Sequence, residues 1–382
     1  MIYLDNAATT KPYSEVLDVV NSVNCEYFAN PSSQHIAGFL AEEKLKEAKE
    51  TLMASIGAKS GEFIFTSGGT ESNNQIFFGI LKNSIKRKPH IIVSKTEHPS
   101  VLEPVKFLED AGCEVSYIAP DSCGIISAEA VCDAVKENTK IVSVMAVNNE
   151  TGAINPISEI TRLVKAKCPD IIVHTDCVQA MGNIEITADK WGVDAISLSA
   201  HKICGPKGVG GLYVRDKVRI LPLILGGHQQ KNLRSGTENT PGICGFSKAA
   251  QMSVDGFLEK CEKTKALKDK IILSLKNNDT FTINNEGDMY SSHIVSIRVK
   301  NVRSEVLLHA LEAHGICVSA GSACSTNKPA PSHVLLAQGY DRKHIEETIR
   351  VSLGSINTEE EIDKFCEILI KEACALSRFT RA

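Results

Sequence analysis

The sequence predicts an α/β protein with a large domain, in which helices flank a mainly parallel sheet, and a smaller α+β domain. From residue 41 to about residue 215, helical patterns alternate with short apolar strand-like segments, which is typical of parallel sheets covered on both faces. The chain has 382 residues, whereas single hydrophobic cores stop growing beyond about 250–300 residues. We therefore expect two domains, one spanning residues 16–257 and the other formed by residues 1–15 and 258–382.

The local pattern of apolar residues predicts each element in turn. A charged amphipathic pattern predicts a helix over residues 41–56, which Gly57 ends. It is followed by strand 62–66, helix 71–87, strand 90–94, helix 99–111, strand 114–118, helix 127–137, strand 140–146, helix 157–166 and strands 170–175, 193–198 and 211–215. A long helical pattern then runs from about residue 242 to 276, and the smaller domain adds strand 294–299, helix 304–314 and helix 358–375.

Composition excludes several classes of protein. The 42 Lys and Arg residues nearly balance 46 Asp and Glu residues, which argues against nucleic acid or an anionic membrane as the main partner. No apolar stretch reaches membrane-spanning length, and residues 1–6 lack the basic region of a signal peptide, so we expect a cytoplasmic protein. The 13 cysteines form no Cys-x-x-Cys pair, so neither a disulfide framework nor a metal site is expected.

Lys202 and Asp176 follow two consecutive predicted strands. Lys202 ends the run Ser199-Ala200-His201-Lys202 after strand 193–198, and Asp176 follows strand 170–175. Open α/β sheets bind ligands at the carboxyl ends of their strands. Taken alone, Lys202 reads as a solvated lysine and Asp176 as a turn residue. Together they are the groups that pyridoxal 5'-phosphate (PLP) requires: a lysine that bonds to the cofactor and an aspartate that pairs with its ring nitrogen.

A glycine-containing loop over residues 66–73 connects a predicted strand to a predicted helix. Glycines let the backbone approach an anion, and the helix N-terminus offers unpaired N–H groups and the positive end of a dipole. This pattern predicts a phosphate site, although it is not a Walker loop because no Gly-Lys-Ser/Thr follows. The alternative is a simple turn in which Thr70 caps the helix.

Three more polar residues follow predicted strands. His98 precedes a helix, Asn149 follows a buried strand, and Gln179 lies one helical turn after Asp176. Each has an ordinary interpretation, as a helix-start histidine, a turn residue and a solvated helix residue respectively. Their shared position at the carboxyl ends of strands is what indicates an active site.

Two features distinguish the chain from a general PLP enzyme. Cys324 lies within the small-residue segment 319–331 and lacks the apolar neighbours of a buried structural cysteine, so its thiol is predicted to be accessible. Arg350 interrupts an apolar strand-like run over residues 349–354. A buried arginine needs an anionic partner, which is either a substrate carboxylate or an internal Asp or Glu.

Taken together, these segments resemble the cysteine desulfurases of the NifS/IscS type, which are class V, fold-type-I PLP-dependent enzymes. The resemblance covers nearly the whole chain. It rests on residues 3–10, 66–73, 96–98, 148–150, 176, 201–202, 205–208, 234–237, 321–324 and 350.

The resemblance implies a role for each site residue. Lys202 would carry PLP, Asp176 would pair with the pyridine nitrogen, His98 would stack on the ring and Gln179 would bond to its phenolic oxygen. The phosphate would be held by Gly69, Thr70, Ser199 and His201, helped by Thr237 from the other subunit of a homodimer. Asn149 and Arg350 would receive the substrate carboxylate, with Asn149 also near the cofactor. Cys324 would accept the sulfur, and either Lys202 or His98 would be the base.

The implied reaction removes sulfur from L-cysteine, giving L-alanine and a persulfide on Cys324. The sulfur would pass to an acceptor protein such as an iron-sulfur scaffold or a tRNA-thiolation enzyme. The alternatives are a selenocysteine lyase, a class V aminotransferase, which would not need Cys324, and a non-enzymatic sulfur-carrier or interaction subunit, which would not need Lys202 or Asp176.

Overall fold

A computed structural model gives the structure of residues 1–320 and 331–378. The predicted sulfur acceptor, Cys324, lies outside these described residues. The described strands are β1 (Ile2–Tyr3), β2 (Glu62–Thr66), β3 (His90–Ser94), β4 (Glu114–Ile118), β5 (Thr139–Ser143), β6 (Ile172–Asp176), β7 (Ala195–Ser199), β8 (Gly210–Val214), β9 (Phe281–Ile283), β10 (Ile294–Val299), β11 (Ile316–Cys317), β12 (Ser319–Ala320) and β13 (Thr348–Ser352).

The described α-helices are α1 (Ser14–Glu26), α2 (Ile36–Ser55), α3 (Gly69–Leu81), α4 (Pro99–Asp110), α5 (Ala128–Asp133), α6 (Ile157–Lys167), α7 (Ala188–Trp191), α8 (Thr240–Asp255), α9 (Phe257–Leu275), α10 (Ser304–Ala313), α11 (His333–Ala337), α12 (Arg342–Glu346) and α13 (Glu359–Ser377). Short 3₁₀ turns occur at Ile85–Arg87, Ala200–Lys202 and Gln230–Asn232.

Seven strands form one large sheet in the order β2-β8-β7-β6-β5-β3-β4. The pairs from β4 to β7 are parallel, and β8 runs antiparallel between β7 and β2. The predicted α/β class with a mainly parallel sheet is therefore confirmed. Because β2, β6 and β7 run in the same direction, their carboxyl ends meet at one edge of the sheet, which is where ligands bind in such folds.

A smaller sheet, in the order β12-β13-β10-β9, lies in the C-terminal part of the chain. Its hydrophobic core is separate from the two cores that cover the faces of the large sheet. The N-terminal strand joins this region, since β1 pairs with β11 and both Ile2 and Leu4 pack in the smaller core. The predicted division into residues 16–257 and residues 1–15 with 258–382 stays a prediction, which the separate cores support.

Several predicted elements differ from those in the structure. Helix α1 was not predicted, and α2 begins at Ile36, where the His35 ring accepts a hydrogen bond from the Gly38 N–H. The helix predicted over residues 71–87 ends at Leu81. The long helix predicted over residues 242–276 is two helices, because the chain leaves helical geometry at Gly256 between α8 and α9.

Three further properties belong to the described part of the chain. None of its helices has the length and apolar character needed to cross a membrane. None of its His, Cys, Asp and Glu residues form a group of three or more that could hold a metal ion. Its twelve cysteines all carry free thiols.

Candidate active site

A cavity of about 390 Å³ opens at the carboxyl ends of the large sheet. Ten of the predicted site residues line it: Gly69, Thr70, His98, Asn149, Asp176, Gln179, Ser199, His201, Lys202 and Arg350. Thr237 is exposed and is not among the described residues that line the cavity.

Lys202 reaches the cavity because β7 ends at Ser199 and a 3₁₀ turn follows. Its Nζ donates to the backbone carbonyls of Ala7, at 2.6 Å, and Ala8, at 2.7 Å. The N-terminal segment is itself tied to this turn, since the N–H and hydroxyl of Thr10 both donate to the His201 carbonyl. Lys202 is half-buried, and its amine lies at the cavity wall.

Asp176 ends β6 as a buried carboxylate, 5% exposed. One oxygen accepts from the Val178 N–H at 2.9 Å, which is the turn interaction that aspartates often make. The other accepts from Asn73 Nδ2 at 2.7 Å. A buried carboxylate held by two donors can pair with a protonated ring nitrogen, so the chemistry of this residue fits PLP.

His98 is connected to Asp176 by hydrogen bonds through the side chains of Asn73 and Ser100. Asn73 Nδ2 also donates to Ser100 Oγ, at 2.9 Å, and Ser100 lies 2.8 Å from His98 Nδ1. The Ser100 N–H donates to the same Nδ1, which makes His98 the cap of α4 and leaves Nε2 to carry the ring proton. Burial lowers the pKa of His98, so the neutral imidazole is favoured.

The glycine loop places the N-terminus of α3 at the cavity. The hydroxyl groups of Thr66 and Ser72 are hydrogen-bonded to each other across the loop, and the Ser72 hydroxyl also lies within hydrogen-bond distance of the Gly211 carbonyl. A Cβ atom on Gly69 would lie 2.7 Å from Cγ2 of Val178, so only glycine allows this close approach. The first N–H groups of a helix lack intrahelical acceptors, which suits them to an anion.

Ser199 and His201 lie beside that helix N-terminus. Burial, together with the nearby charges of Lys202 and Lys207, lowers the pKa of His201 to about 4. The imidazole is therefore neutral near pH 7 and can offer an N–H to an anion without adding charge. With the helix N-terminus, these donors fit the phosphate of PLP.

Gln179 is buried rather than solvated. Its Nε2 donates to the Ala7 carbonyl at 2.8 Å, and its Oε1 lies 3.2 Å from Nε2 of His293. The Ala7 carbonyl thus accepts from both Lys202 and Gln179.

Arg350 enters the cavity from β13 of the smaller sheet. Its Nη1 donates to the backbone carbonyl of Asn149 at 2.8 Å, and its Nη2 lies 2.9 Å from Oδ1 of Asp5. Its buried Nε has no hydrogen-bond partner among the described residues. The internal ion pair that the sequence left open is therefore present, and the guanidinium keeps an unused donor.

Cys324 follows Ala320 by four positions, and both Ser319 and Ala320 line the cavity. Near Pro331, where the described chain resumes, the Ser332 hydroxyl donates to the Glu150 carboxylate and His333 Nε2 lies 2.9 Å from the Glu97 carbonyl.

Four polar residues around the cavity had no predicted role of their own: Asp5, Asn73, Ser100 and His293. Asp5 and Asn73 fall within segments that carry the family resemblance, which is the only signal that could have found them. His293 lies in an unremarkable polar run before a strand, and nothing local distinguishes it.

The chain matches the family model described as aminotransferase class-V over residues 2–365. It is 37% identical to "Cysteine desulfurase IscS 1" of Archaeoglobus fulgidus over 97% of this chain and 96% of that protein. It is similar to the solved structure of a NifS-like protein, with a TM-score of 0.93, 38% identity and coverage of 98% of this chain and 100% of the other. A solved structure of SspA in complex with cysteine matches with a TM-score of 0.83 and 35% identity over 94% of this chain and 100% of that one.

The matches extend over nearly the full length of the chain and include both sheets. Enzymes of this family depend on PLP and share the fold-type-I architecture. The chain belongs to the class V aminotransferase family and, within it, to the cysteine desulfurases of the IscS/NifS type.

Proposed function

We propose that this cysteine desulfurase binds PLP on Lys202, takes L-cysteine as substrate and forms a persulfide on Cys324. The observation that carries the proposal is that Lys202, Asp176 and Arg350 line one cavity together with the N-terminus of α3. A related protein is known in complex with cysteine, which supports the same substrate class here.

The cofactor, when bound, supplies an electron sink that makes the Cα proton of the substrate acidic. Asp176 would keep the ring nitrogen protonated, and His98 would cover the ring. Gly69, Thr70, Ser199 and His201 would hold the phosphate, and Gln179 would donate to the ring oxygen. Asn149 and Arg350 would orient the substrate carboxylate, with Asn149 also beside the cofactor.

Proton transfer at the substrate Cα falls to Lys202 or His98. Both line the cavity, and burial, which lowers the pKa of His98, favours its neutral form. The Ala7 and Ala8 carbonyls orient the Lys202 amine toward one wall.

In the sulfur-transfer step, the Cys324 thiolate attacks the substrate sulfur. A sulfur–sulfur bond forms, the carbon–sulfur bond breaks, and its electron pair remains with the carbon skeleton, which takes up a proton and leaves as L-alanine. The persulfide would then pass its outer sulfur to an acceptor protein, such as an iron-sulfur scaffold or a tRNA-thiolation enzyme.

We also propose a homodimer with shared active sites. Thr237 is exposed and does not line the cavity of its own chain, and the preceding segment exposes apolar side chains, with Leu225 72% exposed and Leu221, Leu223 and Ile224 each 37% exposed. Exposed apolar clusters of this kind are typical of protein interfaces.

The twelve free thiols of the described residues support the proposed cytoplasmic location, because reducing compartments keep thiols free.

The test is to incubate the PLP-loaded enzyme with cysteine and locate the added sulfur by peptide mass analysis. We expect it on Cys324 alone among the 13 cysteines. Cys324→Ser should still bind PLP and cysteine but release no sulfide, because a hydroxyl is a far poorer nucleophile toward sulfur than a thiolate. Persulfide on another cysteine, or normal sulfide release by Cys324→Ser, would contradict the proposal.

A further inference from the structure

The His293 imidazole connects the smaller sheet to the wall of the cavity. His293 precedes β10 directly, is 3% exposed and does not itself line the cavity. Its Nε2 lies 3.2 Å from Oε1 of Gln179, and its Nδ1 lies 2.5 Å from Oγ of Ser291. Its backbone carbonyl accepts from the Leu353 N–H at 2.7 Å, so the ring is carried by a well-held segment.

The Ala7 carbonyl determines the direction of each hydrogen bond in the series that runs from Ala7 through Gln179 and His293 to Ser291. A carbonyl can only accept, so the Gln179 amide must turn its nitrogen toward Ala7 and its oxygen toward His293. The amide oxygen can also only accept, so Nε2 of His293 must carry the ring proton. Nδ1 of the neutral ring then accepts from the Ser291 hydroxyl.

The surroundings of His293 keep the ring neutral. Burial lowers the pKa of His293 well below its ordinary value, and the positive charges of Lys260, Lys268, Arg350 and Lys202 act in the same direction. No second ring proton is therefore available to donate to Ser291, and the tautomer with its proton on Nε2 satisfies both Gln179 and Ser291. Nδ2 of Asn183 lies farther from Nε2, at 3.5 Å, and donates to the Gln179 backbone carbonyl at 3.0 Å.

We propose that His293 is a positioning residue that holds the Gln179 amide with an N–H, rather than its oxygen, directed toward the ring oxygen of the bound cofactor. This inference rests on the proposed function and adds a residue to it. One Gln179 N–H serves the Ala7 carbonyl, and the other remains for the cavity, which Gln179 lines. Without a donor on its oxygen side, the amide loses one of the two contacts that determine its orientation.

The consequence can be measured on the cofactor itself. A donor to the ring oxygen stabilises the oxygen anion, so the bound cofactor releases the proton next to that oxygen at a lower pH. The visible absorption band of PLP reports this ionisation in the holoenzyme without turnover. Loss of the donor should therefore raise the midpoint pH of the absorption change.

Two matched variants separate positioning from general packing. His293→Gln keeps an N–H near the place of Nε2, whereas His293→Asn is equally polar but too short to reach Gln179. We expect the midpoint of His293→Gln to stay near that of the wild type and the midpoint of His293→Asn to rise by about one pH unit. His293→Leu, which lacks any donor, should match His293→Asn.

If His293→Asn binds PLP and its midpoint equals that of the wild type, the inference is wrong. It is also wrong if the Gln and Asn variants shift equally, because that result indicates packing alone. If the wild-type protein shows no visible band after loading with PLP, the proposed function fails first, and this inference fails with it.

Discussion

Arg350 and Asp5 form an ion pair at the wall of the cavity, with 2.9 Å between Nη2 and Oδ1. The two residues are 345 positions apart in the chain and come from β13 and the N-terminal segment. The Arg350 side chain is 9% exposed and the Asp5 side chain 20% exposed, so the pair is only partly screened by water. The guanidinium therefore has an internal anion that a substrate carboxylate must share or displace.

Arg350→Ala should reduce kcat/KM for cysteine by roughly tenfold to over a hundredfold, because hydrogen bonds to charged groups are worth about 1.5–3 kcal/mol. Arg350→Lys should restore only part of this loss, since an ammonium lacks the planar fork. Steady-state kinetics on PLP-loaded enzyme would measure both. Unchanged kcat/KM in Arg350→Ala would mean that the arginine serves only the internal pair.

Asp5→Asn is expected to lower KM for cysteine. The substitution keeps a side chain of the same size but removes the negative charge that competes with the substrate carboxylate for Nη2 of Arg350. The same kinetics measure the change, with a cysteine analogue that lacks the carboxylate as a control that should not respond. A higher KM in Asp5→Asn would indicate that Asp5 orients Arg350 instead of competing for it.

Lys202→Ala should abolish alanine formation, because it removes the amine that we propose bonds to the cofactor. Borohydride treatment of the wild type should fix the cofactor to the peptide that contains Lys202, and peptide mass analysis would locate it. Alanine formation at the wild-type rate would exclude Lys202 as the PLP lysine.

Because the Glu97 carboxyl is buried, we expect the free energy of unfolding to depend on pH. Burial raises its pKa to about 8, and its Oε2 has no hydrogen-bond partner among the described residues. Between the ordinary value of 4.5 and about 8, the folded protein holds a proton that the unfolded chain releases. The free energy of unfolding should therefore fall as pH rises through this window and level off above it.

Glu97→Gln removes the ionisation but keeps an oxygen that can accept from Ser94 Oγ and the Met145 N–H. Urea unfolding of both proteins at about pH 5 and about pH 8.5 provides the measurement. We expect the variant to gain stability relative to the wild type at the higher pH. An equal difference at both pH values would show that Glu97 does not titrate in this window.

If each active site is shared between two subunits, two variants that are defective in different site residues should complement each other. Mixing Thr237→Ala with Lys202→Ala should form heterodimers in which one site has both residues intact, with recovery toward about a quarter of wild-type activity after random exchange. The control is a chain that carries both substitutions, whose mixture with Lys202→Ala should recover nothing. A fully active monomer in sedimentation analysis would exclude shared sites.

Local sequence was sufficient to predict most strands of the large sheet and to propose site residues at the edge where the cavity lies. Predicted strands 62–66, 90–94 and 114–118 match β2, β3 and β4, because short apolar runs between turn residues have few alternatives in an α/β chain. Lys202 and Asp176 were predicted to lie at this edge because the carboxyl end of a parallel strand is a position that sequence alone identifies, and both line the cavity. Helix boundaries were less certain, as at Ile36 and Gly256, where capping and packing decide the ends.

The tertiary structure decided which partners these residues have. Gln179 and His293 are 114 positions apart, and Lys202 and the Ala7 carbonyl are 195 apart, so no local pattern relates them. Arg350 is the most direct example, since the sequence required an anion for it but left open a substrate carboxylate or an internal Asp or Glu, and the structure places Asp5 beside it. That choice depends on how the smaller sheet and the N-terminal segment pack against the large sheet, because burial makes each polar group bond to whatever donor or acceptor the packing brings within reach.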